Sequence, residues 1–396
     1  MRLAVIETAP RGGLLHYAAQ FADALAVRGH DVTFIAPREH EVLRRRAAAG
    51  QRAVLAPPVP PDGSPPHPRR PVLVRRIGVA ARLGRAWTRI LWEARGGGYD
   101  AVIINSDVGL WLSAGGAIAL TAVPGRPPVA LVCHNVRTYN RWAGERMFTS
   151  SRVQLALERR MYERLDLVFV HGDASRAEFE RTWPAVPLAI IPHGDERLFA
   201  GEPPPPAAEE RVLFFGEWRK VKGLSVLMDA FDVLAARRPT VRLTIAGAPA
   251  PQDLDPDVLR RWAARHGDRV TVVDRYVAIA DVPAVFAAAR VVVAPYLVGY
   301  QSGVIALAMT MGRAVVASSV GDLVAMVVDG ERGLLVKPCD AAALAAALER
   351  LVGDPAAAAR MGAAGRARSE AGYSWETAAA RAEAALERLL GDGFPE

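Results

Sequence analysis

Only three lysines occur in this 396-residue chain, and two of them share one short segment. That segment, Gly216 to Gly223 (GEWRKVKG), presents Arg219, Lys220 and Lys222 directly after the apolar run Arg211 to Phe215. Arginine offers a fixed fork of donors and lysine a mobile point charge, a combination suited to a diphosphate. A second polar loop, Tyr300-Gln301-Ser302-Gly303, lies between the run Val291 to Pro295 and an apolar helical stretch, Val304 to Met311. The start of such a helix turns free N–H groups and the positive end of its dipole toward an anion. Gln301 and Ser302 add neutral hydrogen-bonding groups. In the first half, Arg11-Gly12-Gly13 makes a tight turn after the strand Leu3 to Thr8. It is not the G-x-G-x-x-G pattern, so no dinucleotide is indicated. His134, His171 and His193 each follow an apolar strand, at the ligand edge of a sheet rather than in its core. Nothing in their spacing requires them to converge. With only Cys133 and Cys339 beside them, neither a metal site nor a disulfide framework is expected.

The elements that position these residues alternate. Leu3 to Thr8, Asp31 to Ala36, Tyr99 to Asn105, Val129 to Cys133, Leu167 to His171 and Leu188 to Pro192 read as strands, with helices such as Leu14 to Arg28, Arg152 to Leu165 and Ser175 to Thr182 between them. The pattern restarts with Arg211 to Phe215, Leu224 to Arg237 and Val241 to Ala246, then runs through Val270 to Val273, Val282 to Ala289, Val291 to Val293 and Ala314 to Ala317. Alternation in both halves implies an α/β protein of two doubly wound parallel-sheet domains. Between them lies Gly201 to Glu210 (GEPPPPAAEE), four prolines and no apolar anchor, the expected linker. The domains are therefore expected at 1–200 and 201–374, with the closing helix, 375–391, a candidate to cross back to the first.

Half of the residues are hydrophobic and under a quarter are charged, which suits a globular chain. No run of about 18 uncharged apolar residues occurs, so no membrane span is expected. The most apolar stretch, Gly109 to Val123, is too short, and the first residues carry no signal-like apolar region. The cytoplasm is the expected compartment. The net charge of +7 belongs to the N-terminal half, whose first hundred residues hold sixteen arginines against eight acidic residues. Residues 56–71, rich in proline, exclude helix and central strand. After them, helix 77–91 carries an apolar stripe (Ile77, Leu83, Trp87, Ile90, Leu91) and a basic one (Arg82, Arg85, Arg89). Such a helix either packs on its own domain or lies peripherally on an anionic membrane at the inner face. Aromatic and basic residues are not interleaved in a way that suggests nucleic acid.

Over nearly its whole length the sequence resembles the retaining GT-B glycosyltransferases of the large family four, also called group 1. GGLLHYAAQFADALAVRGHDVTFIA resembles their N-terminal glycine loop, helix and strand, CHN at 133–135 their strand-end histidine, and IPHGDERLF an interdomain segment. FFGEWRKVKGLSVLMDAF, VVVAPY, SGV, GRAVVASSVGDL and DGERGLLVKPCD resemble their donor domain. The resemblance implies two Rossmann-like domains facing across a cleft. It also implies a hexosyltransferase-like enzyme (EC 2.4) that moves a sugar, with retention and without a metal, from a nucleoside-diphosphate sugar to an acceptor hydroxyl. The acceptor class stays open: glycan, lipid-linked or small molecule. By position, Arg219 and Lys222 would neutralise the diphosphate, and the Gln301-Ser302-Gly303-Val304 backbone would hold phosphate or sugar. His134 would contact the donor sugar, and Gly12 and Gly13 would bring N–H groups to the reacting centre.

The family's two loop glutamates, eight residues apart, fall here on Gly299 and Leu307, and Glu217 stands where an arginine is usual. A subset with QSG in this loop and an arginine at the position of Arg219 is the better match. The rival reading is a non-catalytic member that keeps the fold as a binding or partner subunit. A phosphorylase is disfavoured because no lysine stands in a context suited to a pyridoxal Schiff base.

Overall fold

The computed structural model describes residues 1–43, 47–55, 72–105, 111–136, 141–142, 145–146, 152–199, 209–250 and 253–391. The proline-rich stretch 56–71 and residues 201–208 of the expected linker lie outside the described residues. The chain forms two compact units: Met1–Asn140, Phe148–Gly194 and Trp375–Glu396 make the first, Arg141–Met147 and Asp195–Ser374 the second.

In chain order the first unit runs β1 (Arg2–Ile6), α1 (Gly13–Val27), β2 (Asp31–Pro37), β3 (Gly50–Leu55), α2 (Val72–Gly96), β4 (Ala101–Ile104), α3 (Trp111–Thr121) and β5 (Val129–Val132). After a short antiparallel pair that belongs to the second unit, β6 (Arg141–Trp142) with β7 (Glu145–Arg146), the first unit resumes with α4 (Arg152–Tyr162), β8 (Leu167–Val170), α5 (Asp173–Thr182) and β9 (Leu188–Ile190). Seven parallel strands stand in the order β3-β2-β1-β4-β5-β8-β9. Strands β4, β5 and β8 are buried at every residue, which is why they read as continuous apolar runs rather than alternating ones. The chain winds outward from β1 in one direction, then starts again at β4 in the other. The loops after β1 and β4 therefore part at a topological switch point, where open sheets of this kind bind ligands.

The second unit contains β10 (Arg211–Phe215), α6 (Leu224–Arg237), β11 (Arg242–Ala246), α7 (Pro256–His266), β12 (Val270–Val273), α8 (Val282–Ala287), β13 (Val291–Ala294), α9 (Gly303–Thr310), β14 (Ala314–Ser318), α10 (Leu323–Val327), β15 (Gly333–Val336), α11 (Ala341–Gly353) and α12 (Pro355–Gly372). Its six parallel strands stand in the order β12-β11-β10-β13-β14-β15, with the switch point between β10 and β13. One face of this sheet is covered by a core that includes Phe214, Phe231, Trp262 and Leu348, and another cluster includes Phe286, Ile305, Met309 and Leu323. The alanine-rich helices start where aspartates cap them: Asp340 accepts from Ala343 N at 2.8 Å and Asp354 from Ala357 N at 2.9 Å.

The last helix, α13 (Trp375–Leu390), belongs to the first unit and packs on α1. Trp375 is buried with its ring 4.8 Å from that of Tyr17 and 6.3 Å from that of Phe21. A Cβ on Gly194 would overlap the Trp375 ring, so the turn after β9 requires glycine there. Strands β3 and β15, helices α3, α7 and α10 and the β6–β7 pair have no counterpart among the expected elements. Helix α2 is longer than the expected 77–91, and Leu83, Trp87 and Ile90 of its apolar stripe are buried.

Candidate functional site

In the second unit the two loops at the switch point are fastened together by backbone. Gly223, at φ 69°, ends the loop after β10, and a Cβ there would overlap the carbonyl of Pro295. Leu297 N donates to Val221 O at 2.9 Å, a second clasp between the same loops. Val304 meets the first loop at Gly216, where a Cβ would stand 3.7 Å from its Cγ2. The far side is braced by Gly321, whose φ of 49° lets its backbone approach Gly299 and Tyr300, and by Asp322 N donating to Tyr300 O at 3.1 Å.

Side chains then bridge what the backbone brings near. Ser302 caps α9, its Oγ accepting from Ile305 N at 3.2 Å, and lies 3.0 Å from the hydroxyl of Tyr296. The ring of the same Tyr296 carries Lys222 Nζ 3.9 Å from its centroid. Lys222, Ser302 and the N-terminus of α9 thus form one connected group, with Gly303 at its first helical position. Tyr296, buried at the centre, is the member that the sequence did not single out. Arg219 stands in the same loop but donates from Nε to Glu217 Oε2 at 2.7 Å, both side chains being about half exposed. Gln301 Oε1 is buried and without a hydrogen-bond partner among the described residues. At the two glutamate positions, Gly299 lies under Gly321 and Leu307 is buried in the core.

In the first unit the switch-point loops carry a buried polar network. Glu7, just past β1, accepts at Oε1 from the backbone N–H groups of Thr8 (2.6 Å) and Ala9 (2.7 Å). Its Oε2 accepts from Asn105 Nδ2 at 2.7 Å, and the same amide nitrogen donates to Leu14 O at 2.9 Å in the first turn of α1. Asn105 Oδ1 meets His134 Nε2 at 3.0 Å, His134 Nδ1 meets His171 Nε2 at 3.2 Å, and His171 Nδ1 meets Ile191 O at 3.2 Å. The three strand-end histidines therefore do meet, because β5, β8 and β9 are neighbours in the sheet. Ring centroids are 5.1 Å apart for His134 and His171, and 5.9 Å for His171 and His193. The Tyr17 ring packs edge-on against all three.

Burial and the neighbouring imidazoles hold His134 well below the usual histidine range, and burial together with His193 lowers His171 to about 3. Both rings are neutral near pH 7. Gly12, at φ 88°, precedes α1, and its N–H donates to Glu41 Oε1 at 2.6 Å, the same oxygen lying 2.5 Å from His16 Nε2. Gly13 opens the helix. Among the described residues no group of three or more His, Cys, Asp or Glu side chains is arranged to hold a metal ion.

A doubly wound unit with a cationic, capped loop pair at its switch point agrees with the family matches. Residues 209–354 match the family described as glycosyl transferases group 1, and residues 12–194 match the glycosyl transferase 4-like domain. The chain belongs to this glycosyltransferase family, and its fold is GT-B. It is 30% identical over 397 residues to the phosphatidyl-myo-inositol mannosyltransferase of Mycolicibacterium smegmatis, covering 97% of this chain and 92% of that protein. Among solved structures, sucrose-phosphate synthase from Thermosynechococcus elongatus shares the fold with a TM-score of 0.75 at 23% identity, covering 99% of this chain and all of that one. HepE of Anabaena in complex with UDP-glucose gives 0.73 at 18% identity, over 98% of this chain and all of that one.

Proposed function

We propose that this glycosyltransferase moves a sugar from a nucleoside-diphosphate sugar to an acceptor hydroxyl, with retention at the anomeric carbon and without a metal. The observation that carries the reading is the connected group of Lys222, Tyr296, Ser302 and the α9 N-terminus. It joins a mobile cation, a helix dipole and hydroxyl groups within one unit, which suits a diphosphate bearing two adjacent negative phosphates. The anomeric C–O bond to the diphosphate breaks, the diphosphate leaves as an anion, and the acceptor oxygen bonds to that carbon and gives up its proton. Stabilisation of the leaving anion by Lys222, Arg219 and the N–H groups at Gln301, Ser302, Gly303 and Val304 is the main source of rate in this scheme. Arg219 would turn from Glu217 to the phosphate. The unpartnered Gln301 Oε1 suits a donor hydroxyl, a role open because neither motif glutamate is present. His134, Gly12 and Gly13 belong to the unit assigned to the acceptor. There the Gly12 N–H is held by Glu41 until a substrate group replaces that carboxylate.

A mannosyltransferase relative and a HepE complex with UDP-glucose support a nucleotide-sugar donor and leave its base and sugar open. A thermal-shift panel of UDP, GDP, ADP and dTDP with their sugars tests the reading. A shift with one base identifies the donor, whereas a blank panel favours the non-catalytic alternative. Once the donor is known, turnover should persist in EDTA and the product should keep the donor's anomeric configuration. Inversion of that configuration would refute retention.

A peripheral membrane contact through α2 is a further part of the proposal. Trp92 and Ile77 are exposed, and Arg85 shares a face with Trp92 seven residues on.

A further inference from the structure

Both Asn105 amide protons are committed, one to the Glu7 carboxylate and one to Leu14 O. Its Oδ1 can only accept, so the proton in the contact with His134 comes from His134 Nε2. A neutral His134 then has a bare Nδ1, facing His171 Nε2 at 3.2 Å, while His171 Nδ1 faces the carbonyl of Ile191. Wherever a neutral His171 carries its single proton, one contact of this chain pairs two acceptors. The mismatch is forced from the other end of the network, by the carboxylate at Glu7.

We propose that Glu7, acting through Asn105, is a positioning residue that fixes the proton of His134 on Nε2 and keeps Nδ1 an acceptor. An imidazole so held cannot donate a proton from Nδ1 to a leaving phosphate, and it can accept a hydrogen bond from a sugar hydroxyl that displaces His171. Only this bearing on turnover rests on the reading of His134 as a sugar contact. The tautomer itself does not.

Glu7→Gln keeps the shape and reverses the polarity. The glutamine oxygen still accepts from Thr8 and Ala9, its amide nitrogen faces Asn105, and the Asn105 amide turns over to donate to His134 Nε2. His134 then carries its proton on Nδ1 and donates to His171, which donates to Ile191 O. Every contact from residue 7 to Ile191 regains a proton, and only Leu14 O loses one.

The test is long-range proton–nitrogen correlation NMR of the 15N-labelled full chain, with His134 assigned by its disappearance in His134→Gln. Expected are an Nε2–H tautomer in the wild type and an Nδ1–H tautomer in Glu7→Gln. A wild-type proton on Nδ1 overturns the proposal even if the variant does not fold, and so does the same tautomer in both proteins. With the donor identified, the expected companion result is a fall in kcat of roughly tenfold or more in Glu7→Gln, on the scale of outer-shell partners elsewhere. A switched tautomer with unchanged kcat would keep the relay and remove His134 from the reaction.

Discussion

Lys222 meets an aromatic ring where its neighbour Arg219 meets a carboxylate. A cation over a ring keeps a defined position without having its charge neutralised, which leaves more of it for an incoming anion. Lys222→Ala is therefore expected to weaken nucleoside-diphosphate affinity by about 1.5–3 kcal/mol in calorimetric titration. Tyr296→Phe, which keeps the ring and loses the contact to Ser302, should cost less than Tyr296→Leu, which loses both. Equal losses would mean that the ring does not position the lysine. A second expectation concerns acid. The folded His171 is lowered to about 3 from an ordinary 6.5, so between those values the unfolded chain binds a proton that the native chain does not. Stability then falls as pH drops through that window, by about 1.4 kcal/mol per pH unit for this one group. Urea unfolding at pH 7 and pH 5 should show that fall, and His171→Gln should reduce it. At this scale the cations and the QSG loop were legible in the sequence, because lysine is rare and the loop follows a β-branched run. Tyr296, Glu7 and Asn105 were not, since their roles depend on which strands are neighbours.

Elements were legible where burial on both faces erased alternation, as in β13 and β14, or where a cap marked a start. The strand β3 gave little signal: among the described residues it stands at the sheet edge beside β2, and most of its residues are partly or fully exposed. Helix α7 did carry a signature, with Asp255 accepting from Asp257 N, Pro256 at the first turn, and Leu259, Trp262 and Ala263 on the buried side. Helix α2 shows how a sequence stripe divides between two uses. Leu83, Trp87 and Ile90 are buried, and Glu93, also buried, is paired with Arg89 and Arg52. What remains outside is Trp92, with the Arg89 guanidinium 4.3 Å from its ring centroid, together with Ile77 and Arg85. If this face meets lipid, flotation with anionic vesicles should recover the protein at low salt and lose it at high salt. Trp92→Ser should abolish recovery while leaving thermal stability nearly unchanged. No recovery under either condition would return α2 to ordinary packing.

On the scale of the whole molecule, two units of the same architecture are each organised around one switch point, and each places candidate site residues in the loops there. The alternation of strands and helices made that architecture readable before any coordinate, whereas the membership of α13 rests on packing. Trp375 is the anchor, 2% exposed between Tyr17, Phe21 and Gly194. Trp375→Ala should destabilise the first unit by about 3–5 kcal/mol, read as a lowered midpoint in chemical denaturation. Gly194→Ala should act in the same direction through overlap with the same ring.

The position of α13 also sets an order on synthesis. A ribosome delivers the strands of the first unit long before the helix that completes its core, with the entire second unit emerging in between. During that interval Tyr17 and Phe21 face solvent or a chaperone where Trp375 will later stand. The first unit therefore completes its core only after every residue of the second unit has been made.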